Sequence, residues 1–153
     1  MKTGQASRTA RLNALFRAIE SNRFPRNQRL FDDPWAILFL SPLEKAYVYL
    51  SRLPLIGKIV TLYIDMGWPG VRTSALGRTC WIDDQLRNAL QDGIRQIVIL
   101  GAGYDSRAYR IANMAHTHVF EVDHPNTITI KMNALSKYLG AIPSNIAYVE
   151  VNF

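Results

Sequence analysis

The residues best suited to chemistry are a pair of carboxylates and a glycine turn. Glu121 and Asp123 stand two apart in His118-Val-Phe-Glu-Val-Asp123, which reads as a strand, so both project from one face. A carboxylate accepts both hydrogen bonds of a ribose diol, which a neutral acceptor does less well. Asp123 lies 22 residues beyond Gly101, close to the ~20-residue offset between a glycine turn and the acid of a nucleotide site. The competing use of either acid is to cap the helix that Pro125 begins.

The turn itself is Gly101-Ala102-Gly103, directly after the apolar run Ile97-Val-Ile-Leu100. Glycine permits the sharp bend, and without Cβ a ligand can approach the backbone N–H groups. Asp105 and Ser106 follow as N-cap residue types for a helical turn. The third glycine of the dinucleotide fingerprint is absent, with Ser106 in its place. Asp105 also adds negative charge where a pyrophosphate would sit. Both features argue against a nicotinamide dinucleotide and for a nucleotide-like ligand without phosphates.

The elements around these residues are legible from periodicity. An amphipathic helix is expected over 8–21, with Leu12, Leu15, Phe16 and Ile19 inward and a solvated basic face. Ser41-Pro42 with Glu44 signals a second helix start, carrying Ala46, Tyr47 and Leu50 inward. Pro54 breaks it, a further helix runs over 56–66, and Gly67-Trp-Pro-Gly70 closes the helical front section. Thr79–Leu90 is expected as the next helix, with Asp83 and Asp84 favoured in its first turn by the dipole. Strands then start at 97, 118 and 146, and a helix over 125–139 carries Ile128, Met132, Leu135 and Leu139 on one face. The fold class is α/β: front helices, then β-α-β-α-β, half of a doubly wound sheet. Residues 1–70 are expected as a helical cap and 71–153 as a partial nucleotide-binding domain. The third strand is expected to be an exposed edge, open to self-association or a partner chain.

Composition narrows the partners. The chain has 153 residues, 48% of them hydrophobic, which suffices for a core. Charged residues and prolines interrupt every long apolar stretch, so no membrane span is expected. Cys80 is the single cysteine, which excludes an internal disulfide and fits a reducing cytoplasm. It has no Cys or His partner at metal-ligand spacing, so no metal site is expected. The net charge of +6 arises entirely within residues 1–30, which hold seven basic residues against Glu20. No aromatic-interleaved basic stripe follows, so nucleic acid is not an expected partner.

The paired central motifs, Gln96-Ile-Val-Ile-Leu-Gly-Ala-Gly-Tyr-Asp-Ser-Arg-Ala-Tyr-Arg110 and Val119-Phe-Glu-Val-Asp-His-Pro125 with Lys131, resemble the leucine carboxyl methyltransferase family. Ser7-Arg-Thr-Ala10, Phe31-Asp-Asp-Pro-Trp-Ala36 and Arg78 before Ile82-Asp-Asp84 agree with it, so the resemblance covers essentially the whole chain. It implies a Rossmann-like class I methyltransferase sheet and S-adenosyl-L-methionine as methyl donor. It further implies that Arg78 takes the methionyl carboxylate and that Gly101, Ala102, Gly103 and Asp105 lie against the cofactor. Asp123, with Glu121 nearby, would take the ribose. The family has an Asp-Leu or Asp-Phe pair against the adenine; Asn152-Phe153 stands there in this chain. An amide both donates and accepts, so adenine recognition is compatible with the change.

The resemblance also implies a chain about twice as long, so the sequence reads as the N-terminal half of such an enzyme. The expected reaction is O-methyl transfer to a carboxylate or hydroxyl of a small molecule or protein. The alternative is a non-catalytic, truncated relative or partner subunit. Displacement at a sulfonium needs mostly positioning, worth up to roughly 7–11 kcal/mol. A carboxylate acceptor needs no general base, whereas a hydroxyl acceptor does. His116, His118 and His124 are bases by residue type only, and no catalytic residue is assigned.

Overall fold

The computed structural model describes residues 8–152. Six α-helices and three strands follow one another: α1 (Arg8–Arg23), α2 (Pro42–Leu50), α3 (Pro54–Gly67), α4 (Val71–Gln91), β1 (Gln96–Leu100), α5 (Arg107–Arg110), β2 (His118–Asp123), α6 (Pro125–Leu139) and β3 (Ile146–Glu150). The α/β class holds: a helical front section precedes a parallel sheet of order β1-β2-β3.

Local chemistry accounts for most boundaries. Ser41 and Glu44 close a capping box at the start of α2, the Ser41 N–H donating to Glu44 Oε2 at 2.8 Å with Pro42 next in line. Pro54 does not merely end α2; it is the first residue of α3, where its missing N–H costs nothing. Gly140, at φ 77°, stops α6.

Three expectations need correction. Helix α4 begins at Val71, two turns before Thr79, because Arg72 to Leu76 contains no breaker and a bidentate Arg72–Asp65 pair (2.9 and 2.6 Å) secures its start. Asp83 and Asp84 therefore sit in the helix interior, where the dipole does not act on them. In α2 the buried residue is Val48, while Ala46 and Leu50 are exposed. The basic face of α1 is left to solvent only in part, with Arg8 and Arg11 exposed. Arg17 donates to buried Asp33, Arg23 to Thr61, and Arg11 pairs with Glu44.

One core lies in the front section, around Phe16, Ile19, Phe39, Val48 and Leu76, and extends to Tyr104 and Leu135. Tyr104 stacks on Phe39 with centroids 4.8 Å apart. A second core lies under the sheet, around Leu90, Ala108, Met114, Val119 and Ile146. Among the described residues the other face is much less covered, with Phe120 and Val122 half-buried. There Val98 is 53% and Leu100 76% exposed, so β1 alternates rather than being buried throughout. Among the described residues, no helix is long and apolar enough to cross a membrane.

Candidate functional site

An open cleft of about 720 Å³ lies beyond the carboxyl ends of β1 and β2, bounded by α1, α4 and the start of α6. The turn after β1 forms its floor. Gly101 (φ 62°) and Gly103 (φ 49°) are both left-handed, a conformation that L side chains adopt at a cost. A Cβ on Gly103 would stand 3.1 Å from the Ala10 Cβ of α1, so glycine here also admits the front helix. A Cβ on Gly101 would meet nothing within 4 Å: its open side faces the cleft. The Ala102 N–H donates to the Val122 carbonyl at 3.0 Å, locking the turn to the end of β2.

Asp123 is tied to the same turn. Its Oδ2 accepts the Gly103 N–H at 2.5 Å and its Oδ1 accepts the His124 N–H at 2.6 Å. Each oxygen keeps lone-pair capacity for a ligand hydroxyl. Asp105 turns toward Arg107, accepting its backbone N–H at 2.8 Å and its guanidinium. Burial alone would raise the Asp105 carboxyl, but Arg107, Lys131 and Arg17 together hold it below its ordinary range. Ser106 does not cap α5; its hydroxyl donates to Asp33 at 2.6 Å. Arg78 projects from α4, exposed on the cleft wall, with Ser74 Oγ at 3.5 Å and no acidic partner among the described residues.

Six of the residues singled out from the sequence thus line one cleft: Arg78, Gly101, Ala102, Gly103, Asp105 and Asp123. Glu121 does not. Its side chain is fully buried beneath the cleft, with Lys131 Nζ at 2.6 Å from Oε2. Burial pushes the Glu121 carboxyl up even against the Lys131 ammonium, and Asp105 and Asp123 add to the rise. Lys131 takes the inward place on α6 expected of Met132, which is 37% exposed. Beside it, Tyr109 and Tyr148 share a hydroxyl contact; burial drives the Tyr109 phenol up and the Tyr148 phenol to about 12. Asn152 is exposed and away from the cleft lining, next to Val151, whose N–H donates to the Asp123 carbonyl. Phe153 lies outside the described residues.

His124 is the N-cap of α6, its Nδ1 accepting the Asn126 N–H at 3.2 Å, and it lines the cleft. His118 begins β2 at the far end of the strand, roughly 16 Å from Asp123 at strand rise, and His116 precedes it. Sequence reasoning missed the wall contributed by α1, where Thr9, Ala10, Asn13 and Arg17 face the turn. The arginine carried a signal only in hindsight, since the same residue type also decorates solvated helix faces. Among the described residues no group of three His, Cys, Asp or Glu is placed to hold a metal ion.

The sequence model of the leucine carboxyl methyltransferase family matches residues 10–153. The chain belongs to the leucine carboxyl methyltransferase family. Its curated relatives include a protein of Mycobacterium tuberculosis (strain ATCC 25618 / H37Rv), 36% identical over an alignment of 153 residues covering 94% of this chain and 45% of the relative. A protein of Parafrankia sp. (strain EAN1pec) is 35% identical over 134 residues, covering 84% of this chain and 39% of the relative. Both are provisionally named S-adenosyl-L-methionine-dependent methyltransferases. This leucine carboxyl methyltransferase family member spans less than half the length of these relatives.

Proposed function

We propose that the cleft binds S-adenosyl-L-methionine and that the chain carries the cofactor-holding part of a methyltransferase. The observation that carries this reading is the convergence on one cleft of a cation with no acidic partner among the described residues, an open glycine turn and a ribose-competent carboxylate. The residues fit that cofactor. Arg78 supplies a guanidinium fork, unclaimed by an acid among the described residues, for the methionyl carboxylate. Gly101 leaves open space where the cofactor backbone would pass. Asp123 is held by two N–H groups with acceptor capacity left for the ribose diol. The relatives' names point to the same cofactor.

S-adenosyl-L-methionine held by these residues would supply a methyl group activated by its sulfonium, to be taken up by an acceptor oxygen as the carbon–sulfur bond breaks and a neutral thioether is released. The chain's own contribution is to hold and enclose. Asp123 and Arg78 fix the two ends of the ligand, and α1, packed against Gly103, walls the cleft from water. A carboxylate acceptor suits a site in which no imidazole is committed to proton transfer, since His124 already accepts from Asn126. We read the reaction accordingly as O-methylation, with a carboxylate favoured as acceptor. The sheet is read as the first half of a Rossmann-like one, with β1 the edge on which the longer relatives would add strands. Its less covered face is where their further helices would pack. Residues 1–70 are read as the cap over the cofactor, and Glu121 as a support beneath the cleft rather than a ribose ligand.

Calorimetric titration of S-adenosyl-L-methionine into the Arg78→Ala and Asp123→Ala variants tests the assignment. Each loses charge-assisted hydrogen bonds worth about 1.5–3 kcal/mol, so each should bind about 10- to 100-fold more weakly than the parent. Parent-like affinity in both, with intact thermal transitions, would remove Arg78 and Asp123 from the site.

A further inference from the structure

Phe31-Asp-Asp-Pro34 stands out in the sequence, yet neither aspartate reaches the cleft. Asp33 is nonetheless completely buried and touches Ser106, 73 residues away and just past the glycine turn. Its two oxygens are divided between two tasks. Oδ1 accepts the Trp35 and Ala36 N–H groups at 3.2 and 3.1 Å, setting the turn that follows. Oδ2 accepts Arg17 Nε at 2.8 Å and the Ser106 hydroxyl at 2.6 Å. The Asp33 N–H is itself fixed by Ser21 Oγ at 2.7 Å.

These contacts form a bridge. Arg17 uses a second nitrogen to donate to the Tyr104 carbonyl at 2.5 Å, so the residues on both sides of Asp105 are held from Asp33. Ser106 Oγ in turn accepts Arg110 Nε at 3.2 Å, and Arg110 grips Asp83 of α4, the helix that bears Arg78. A fully satisfied buried polar network of this kind specifies one conformation. The left-handed turn at Gly101 and Gly103 has no such preference of its own, because glycine visits many backbone states.

We propose that Asp33 is a positioning residue: through Oδ2 it clamps Tyr104 and Ser106 and thereby holds the glycine turn in the shape that receives the ligand. The proposal rests on the S-adenosyl-L-methionine reading only for what the turn receives. The clamp itself follows from the contacts.

Asp33→Asn is the selective test, because the amide oxygen can keep the Oδ1 contacts while the NH₂ opposes the Arg17 and Ser106 donors. Ser106→Ala removes the same link from the turn, and serves if Asp33→Asn fails to fold. Asp32→Asn is the control, since among the described residues Asp32 pairs only with exposed Arg26 and with Arg29. Hydrogen exchange of the full chain without cofactor should speed at least about tenfold over Ala102–Ser106 in Asp33→Asn and Ser106→Ala, while β2 and α6 keep their protection. S-adenosyl-L-methionine affinity of the folded variants should fall about tenfold, and Asp32→Asn should match the parent in both readouts. A residue that only stabilised the fold would lower the thermal midpoint and leave both readouts unchanged in folded protein. Unaltered exchange over the turn in both variants overturns the proposal. A parent that binds no cofactor overturns the ligand reading instead, while the exchange result still decides the clamp.

Discussion

Replacing Lys131 by methionine should cost the fold about 3–5 kcal/mol at neutral pH, the loss expected when one partner of a buried ion pair is removed. The side chains of Lys131 and Glu121 are 1% and 0% exposed, and their charges stand 2.6 Å apart. Among the described residues no other polar group satisfies the Glu121 oxygens or the Lys131 nitrogen, so each depends on the other. Without the ammonium, Glu121 becomes an isolated carboxylate under the sheet, and its carboxyl, already raised by burial, rises further. A folded-state value above the unfolded one means that the protonated group favours the folded chain at low pH. That contribution is present below the unfolded value and lost as pH rises through the folded one. The deficit of Lys131→Met should therefore be larger at about pH 8 than at about pH 5. Urea unfolding at both values measures it. Converting both partners, Glu121→Leu with Lys131→Met, should recover most of the loss, since apolar replacement of a buried pair is often neutral or better. Equal deficits at the two pH values, or no deficit, would show that water reaches the pair.

Asp83→Ala should be nearly as severe, again about 3–5 kcal/mol, because it removes an acceptor shared by two guanidinium groups and leaves one of them, Arg110, buried without a close carboxylate. Asp83 accepts Arg107 Nε at 2.7 Å and two nitrogens of Arg110 at 2.5 and 2.8 Å, and is itself wholly buried. Arg107 would keep Asp105. Arg110, 4% exposed, would be left with Ser106 and an Asp33 oxygen at 3.8 Å. Asp83→Asn preserves the shape and one acceptor, so its cost should be about half. Urea midpoints for the pair of variants separate the charge from the volume. A cost below about 1 kcal/mol for Asp83→Ala would mean that the arginines re-solvate and that the network holds nothing together.

These two residues mark where sequence reasoning stops. Strands and helices beyond residue 96 were legible because apolar spacing and the turn residues Gly101, Pro125 and Gly140 agree locally. The cleft floor was legible for the same reason, since Gly101, Gly103, Asp105 and Asp123 are close in sequence and their roles follow from residue type. Partnership across the fold was not. Asp83 is expected as a first-turn acid, and Lys131 stands in a family motif with no partner assigned to it. Arg17 looks like one more residue of a basic helix, but the Tyr104 carbonyl it holds is 87 residues away. Charged side chains have the same identity exposed or enclosed, and only the packing of α1 and α4 onto the turn decides which. The packing of α6 likewise moved Glu121 from the expected site to the layer beneath it: its face of β2 is shared with Asp123, but α6 covers Glu121 and leaves Asp123 open to the cleft.

The most direct measurement of the central claim is an isothermal titration of S-adenosyl-L-methionine into the unmodified chain, with NAD titrated in parallel. The cleft geometry predicts saturable heat at one site per chain for S-adenosyl-L-methionine. It predicts none for NAD, whose pyrophosphate would meet Asp105 and find Ser106 in place of the third glycine. Heat for NAD alone, or for neither ligand in a chain shown to be folded, would contradict the account.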